Sequence, residues 1–211
     1  DSYEPSVKLA GGITRHIPMT LPDFSIDWNR VEATINDRTR MIIINSPHNP
    51  SGSILREQDL LTLQAMIAER DIYVLSDEVY EHLVYDGEQH RSVLQYPQLR
   101  ERSFAVFSFG KTFHITGWKT GYCVAPPALT AELRKIHQYV TFVAVTPIQQ
   151  ALADYLAAEP DFAAGLSSFY QTKRDLFCNL LEGSRFHCVP SAGTYFQLLD
   201  YSEISQELDA D

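Results

Sequence analysis

Lys111 follows an apolar run, Phe104-Ala105-Val106-Phe107, within the segment Ser108-Phe109-Gly110-Lys111-Thr112-Phe113. Lysine is ordinarily a surface residue. At the end of a buried strand and between aromatic rings, its ammonium form is disfavoured, and the neutral amine is a nucleophile that forms Schiff bases with carbonyls. Two other apolar runs end in equally polar segments. Met41-Ile42-Ile43-Ile44 leads into Asn45-Ser46-Pro47-His48-Asn49-Pro50-Ser51-Gly52, and Ile72-Tyr73-Val74-Leu75 leads into Ser76-Asp77-Glu78-Val79-Tyr80. Asp77 is of a type that caps helices. At a strand end it is also a carboxylate able to keep a pyridine nitrogen protonated, which makes such a ring an electron sink. Glu78 competes for that role, and Asp77 is preferred because it lies nearer the strand terminus. Tyr80 either packs against a sheet or donates a hydrogen bond to a ring oxygen. Asn49, a turn former before proline, can reach the same oxygen. Ser108 and Lys119 offer a hydroxyl and a cation to a phosphate, and each is equally at home as an ordinary polar residue.

The elements that position these groups follow from the pattern around them. The three runs above, and a fourth at Tyr122-Cys123-Val124-Ala125, do not alternate apolar with polar. That reads as strands buried on both faces. Leu60, Leu63 and Ile67 share a helical face, which predicts a helix that starts near 56–57 and ends by 71. Leu133, Ile136 and Val140 mark a second helix, and further helices are predicted over 148–158 and 167–181. Residues 185–200 read as two short strands around Pro190-Ser191-Ala192-Gly193, and the acidic stretch 203–211 closes no element. Strand, helix, strand in this order implies crossover units and an open α/β sheet covered by helices, with ligands at the carboxyl ends of its strands.

The 211 residues carry 17 basic and 27 acidic side chains, a net charge of −10. That balance argues against nucleic acid and against an anionic membrane surface as partners. No apolar run is long enough to span a bilayer. Cys123, Cys178 and Cys188 form no framework, which fits reduced thiols in a cytoplasmic protein. His48, His82, His90 and His114 lack metal-ligand spacing, so no metal site is expected. Gly11-Gly12 lacks the spacing of a dinucleotide loop.

Three motifs, NSPHNPSG (45–52), SDEVYEHLVYD (76–86) and SFGKTFHITGWKTGY (108–122), together resemble the class I/II aminotransferases of fold type I. Asn49 lies 28 residues before Asp77 and Asp77 lies 34 before Lys111, intervals that fit that family, and GTYFQLLDY (193–201) extends the likeness. Within it the chain most resembles methionine and kynurenine aminotransferases. The resemblance implies a three-layer α-β-α large domain with a mostly parallel sheet over residues 1–165. Residues 166–211 would be a connecting helix and the beginning of a small α+β C-terminal domain. It implies pyridoxal 5'-phosphate as cofactor, bound as a Schiff base by Lys111, with Asp77 on the ring nitrogen, Tyr80 and Asn49 on the ring oxygen, and Ser108 and Lys119 on the phosphate. Catalysis would fall to Lys111, Asp77 and Tyr80. Many relatives have Arg where Lys119 stands; Lys keeps the charge and loses the bidentate fork.

The implied reaction moves an amino group from an L-amino acid of methionine or aromatic type to a 2-oxo acid, in a homodimer. A carbon–sulfur β-lyase on the same scaffold, or a cofactor-binding domain without turnover, are the alternatives. The family's phosphate-gripping turn and ring-stacking aromatic would lie upstream of these residues, and its α-carboxylate-binding Arg downstream. The chain therefore reads as a fragment, expected to be inactive alone.

Overall fold

The computed structural model describes residues 2–204, so nearly all of the acidic stretch 203–211 lies outside the described residues. Along the chain come α1 (Tyr3–Leu9), α2 (Trp28–Thr34), β1 (Met41–Asn45), α3 (Glu57–Ile67), β2 (Tyr73–Asp77), α4 (Pro97–Arg100), β3 (Ser103–Ser108) and α5 (Phe109–Thr112). Then follow β4 (Gly121–Val124), α6 (Pro127–Val140), α7 (Thr146–Ala158), α8 (Leu166–Leu180), β5 (His187–Cys188) and β6 (Leu199–Asp200). The main sheet has the order β1-β2-β3-β4; its first three strands are parallel and β4 runs antiparallel to β3. β5 and β6 form a separate antiparallel pair, as the two strands expected around residues 190–193. A mostly parallel sheet with flanking helices matches the expected fold class.

One face of the sheet is sealed. Leu60, Leu63 and Ile67 of α3 meet Val74, Ala105, Val93 and Leu99 in a single apolar cluster. Complete burial of each of the leucine, isoleucine and valine side chains contributes roughly 1.5–3 kcal/mol. Asp59 in the first turn of α3 accepts the Arg56 N–H at 2.8 Å and the Trp28 indole N–H at 2.8 Å, which satisfies an orphan amide and ties α2 to α3.

The structure agrees with one expectation and corrects another. α3 ends at Ile67, within the limit of 71, and beyond it the Arg102 guanidinium donates to the Ile67 and Arg70 carbonyls at 2.8 and 2.7 Å in place of another helical turn. The strands are not buried on both faces. β2 buries Val74 and Ser76 but leaves Tyr73 exposed, and every residue of β4 is exposed. An apolar run records what a strand is able to bury, and the described residues cover only one face fully.

Register fixes the site. Asn45 pairs with Asp77, Asp77 with Val106, and Ser108 with Gly121. The segments after β1, β2 and β3 therefore leave the sheet along one carboxyl-terminal edge.

Candidate active site

Asp77 ends β2, and its carbonyl is held twice, by the Asn45 side-chain amide at 2.9 Å and the Ser46 N–H at 3.0 Å. No helix follows it, so it does not act as a helix cap; its Oδ1 instead accepts the Val79 N–H at 3.4 Å in a local turn. Its Oδ2 accepts the phenol O–H of Tyr3. Burial first, then this hydrogen bond, hold the Tyr3 phenol well above its ordinary pKa, so it stays a donor.

Glu78 turns the other way. It is 1% exposed, accepts the Ser76 hydroxyl at 2.8 Å and the Val93 N–H at 3.1 Å, and pairs with His90 Nε2 at 2.8 Å. With its oxygens committed to the core, Glu78 presents nothing to the edge where Asp77 stands.

Tyr80 is 3% exposed, with its ring edge-on to Tyr195 and Phe196 at centroid distances of 5.4 and 5.7 Å. Burial, and next its hydrogen bond with Tyr195, push its phenol above the usual value, while a hydrogen bond with the Asn49 side chain works in the opposite sense. Tyr80 is thus a neutral hydroxyl beside the Asn49 amide. The Asn49 N–H is anchored on Asn45 Oδ1 at 3.0 Å, so the strand residue that grips Asp77 also fixes the loop bearing Asn49.

Lys111 lies in α5, immediately after β3. It is half-buried, and its Nζ sits 5.6 Å from the centroid of the Tyr80 ring. Among the described residues it has no ion-pair partner. It opens on a cavity of about 360 Å³ that Gly110, His114, Thr116, Tyr170 and Tyr195 also line. A Cβ at Gly110 would come 3.0 Å from Thr116 Cα and 3.2 Å from Ser108 Oγ, so glycine lets the chain fold back tightly around Lys111. The Ser108 hydroxyl makes no hydrogen bond among the described residues. Lys119 is exposed, at a left-handed φ of 54°, two residues before the Gly121 that pairs with Ser108. The strand reversal thus returns a cation to the edge where Ser108 and Lys111 lie.

The structure therefore gathers all six residues singled out from the sequence on one sheet edge. A cavity of about 1300 Å³ lies between the N-terminal stretch, β1 and α8, lined among others by Tyr3 and Asn45, both of which hold Asp77. It is larger, but Lys111 lines only the smaller one, and the amine's chemistry points there.

Sequence reasoning missed Tyr3, Tyr170, His114 and Tyr195. Tyr170 O–H and His114 Nδ1 are 3.1 Å apart at the cavity rim. Tyr195 belongs to GTYFQLLDY, a segment noted in the sequence without a role. An interlocked backbone brings it in: Thr194 N–H donates to Leu83 O at 2.9 Å, Tyr85 N–H to Ala192 O at 2.8 Å, and Ala192 N–H to Gly52 O at 3.0 Å. Tyr3 carries no signal in the sequence, because its partner lies 74 positions away.

An amine beside a phenol and an amide, a carboxylate held at the neighbouring strand end, and a free hydroxyl with a cation near it fit a ring bearing an aldehyde, a basic nitrogen, a hydroxyl and a phosphate. Comparison with known proteins agrees. The model of the family "Aminotransferase class I and II" matches residues 1–209. Methionine aminotransferase of Escherichia coli is 51% identical over 97% of this chain and 53% of its own length. Human kynurenine–oxoglutarate transaminase 3 is 32% identical over 99% of this chain and 50% of its own. Among solved structures, E. coli YbdL, described as having a methionine aminotransferase function, superposes with a TM-score of 0.95 at 51% identity, over 97% of this chain and 54% of that one. N-succinyldiaminopimelate aminotransferase from Mycobacterium tuberculosis gives 0.89 at 33% identity, over 100% and 54%. The chain spans about half the length of the curated relatives it matches. On its motifs, its fold and these matches, this chain belongs to the class I and II aminotransferase family.

Proposed function

We propose that this chain carries the reacting groups of a pyridoxal-phosphate-dependent aminotransferase that moves the amino group of an L-amino acid, of methionine or aromatic type, to a 2-oxo acid. The family depends on pyridoxal phosphate. When bound, that cofactor supplies an aldehyde that captures amines and a ring that withdraws electrons from the substrate's α-carbon. Lys111 Nζ is the amine that holds it covalently and the base that moves the α-proton. Asp77 keeps the ring nitrogen protonated. Tyr80 and Asn49 donate to the ring oxygen, and Ser108 and Lys119 hold the phosphate.

The observation that carries this reading is Lys111 Nζ set over the Tyr80 ring, at the edge where Asp77 ends the neighbouring strand. The methionine and kynurenine relatives support the substrate class. The matched relatives named above are aminotransferases, which does not favour the β-lyase alternative.

The reading includes a division at 165/166, a homodimer and a cytoplasmic setting. α8 begins at Leu166, which suits a connecting helix there. Ile136, Tyr139 and Val140 on α6 are 65%, 85% and 77% exposed, an apolar face suited to association. The three cysteines are free thiols, as a reducing compartment would keep them.

The test is borohydride reduction of the full-length protein loaded with pyridoxal phosphate, followed by peptide mapping. The label is expected on Lys111; label on Lys119 or Lys135 overturns the assignment.

A further inference from the structure

We infer that Tyr3 is a positioning residue for the Asp77 carboxylate: the phenol O–H occupies Asp77 Oδ2 and so fixes the orientation in which the carboxylate meets the ring nitrogen. The inference rests on the role proposed for Asp77.

A carboxylate has two equivalent oxygens and rotates about a soft torsion. One that must hold a proton on a ring nitrogen works only in the orientation that aims an oxygen along the N–H. In this protein the two oxygens are not equivalent. Oδ2 takes the Tyr3 hydroxyl, and Oδ1 has only the long 3.4 Å contact from the Val79 N–H. The Asp77 backbone is pinned on both sides, by Asn45 and Ser46 at its carbonyl and by the ladder to β3, so the torsion of the side chain is the freedom that remains. Tyr3 removes it.

The donor is suited to the task. A phenol that stays protonated adds no charge beside the carboxylate, whereas a lysine or arginine there would compete with a protonated ring for it. Tyr3 also does little else for the fold. α1 contains no buried residue, and the hydroxyl has its bond to a site residue rather than to the core.

The experiment is a pH titration of the bound cofactor's absorbance in the full-length holoenzyme, comparing Tyr3→Phe, Asp77→Asn and the double variant. Tyr3→Phe keeps the ring and its packing and removes only the hydroxyl. A proton held on the ring nitrogen is a positive charge that disfavours a second proton elsewhere on the conjugated system. A weaker hold therefore raises the titration midpoint. Tyr3→Phe is expected to raise it in the same direction as Asp77→Asn but by less, with kcat falling roughly tenfold, equivalent to about 1.4 kcal/mol. In the Asp77→Asn background, Tyr3→Phe is expected to add nothing. An equal shift in both backgrounds, or none in the single variant while Asp77→Asn responds, overturns the inference alone. A silent Asp77→Asn overturns the role of Asp77 and this inference with it.

Discussion

The carboxylates of Asp77 and Glu78, adjacent in the chain, leave it on opposite sides of the sheet: Asp77 meets the hydroxyl of Tyr3, and Glu78 is enclosed by Ser76, His90 and Val93. On the proposed assignment one serves chemistry and the other structure. Substitution should separate them. Asp77→Asn is expected to leave the fold intact and slow turnover by several orders of magnitude, since loss of the electron sink costs roughly 5 kcal/mol at ~1.4 kcal/mol per tenfold. Glu78→Gln is expected to destabilise the protein by about 3 kcal/mol, because His90 loses a buried partner. Steady-state kinetics beside denaturant unfolding reads both, and a near-normal rate for Asp77→Asn would show that the roles are misassigned.

Ser108 and Lys119 are expected to act on affinity rather than on chemistry. Ser108→Ala and Lys119→Ala should each weaken pyridoxal-phosphate binding by roughly 1.5–3 kcal/mol, the range for charge-assisted hydrogen bonds. Binding of pyridoxal, which lacks the phosphate, should be unaffected. Equilibrium dialysis with the two ligands makes the comparison, and an equal loss for both would remove the phosphate role.

Glu81 gives the protein a pH-dependent stability. Burial raises its pKa from 4.5 to about 7, with Glu78 adding to the rise and His90 opposing it; His82 also lies alongside. Its Oε2 has no hydrogen-bond partner among the described residues. The folded state therefore holds a proton that the unfolded chain gives up more readily. The resulting stabilisation is complete below about pH 4.5 and is lost as pH rises through about 7. Glu81→Gln should flatten the stability profile across that window and make the protein more stable at pH 8, by on the order of 2–3 kcal/mol. Chemical denaturation at several pH values is the measurement, and an unchanged slope would count against it.

Gly193 is required by space rather than by backbone angle. A Cβ there would lie 2.6 Å from Leu83 O and 3.0 Å from Pro47 Cβ. Gly193→Ala should push residues 191–194 off the body, cost about 1–3 kcal/mol, and loosen Tyr195 from Tyr80. Thermal unfolding together with tyrosine fluorescence would register both effects, and an unaltered melting temperature would refute the account.

The sequence made the sheet edge readable because each polar cluster follows its strand directly, and register then sets the clusters side by side. Asp77, Tyr80 and Lys111 were accessible for that reason. The preference for Asp77 over Glu78 rested on its place at the strand end, and the enclosed Glu78 supports it. Tyr3 and Tyr195 were not legible, since each reaches the edge through contacts between segments far apart in the chain. The bonds that follow the end of α3 were not legible either, since they come from Arg102, in another part of the chain. The open faces of β4 and α6 were hidden for a related reason: apolar residues look the same in sequence whether or not something lies over them.

The reversal at β4 has a mechanical meaning. Ser108, Lys111 and Lys119 all sit on one hairpin-like excursion, closed by the pairing of Ser108 with Gly121. Amine, hydroxyl and cation are thus bolted to a single short frame, and their spacing is insulated from shifts in the loops that bear Asn49, Asp77 and Tyr80. On the proposed assignment, breathing elsewhere in the molecule would change how a bound ring is tilted and protonated while leaving the groups proposed to tether it at fixed separation.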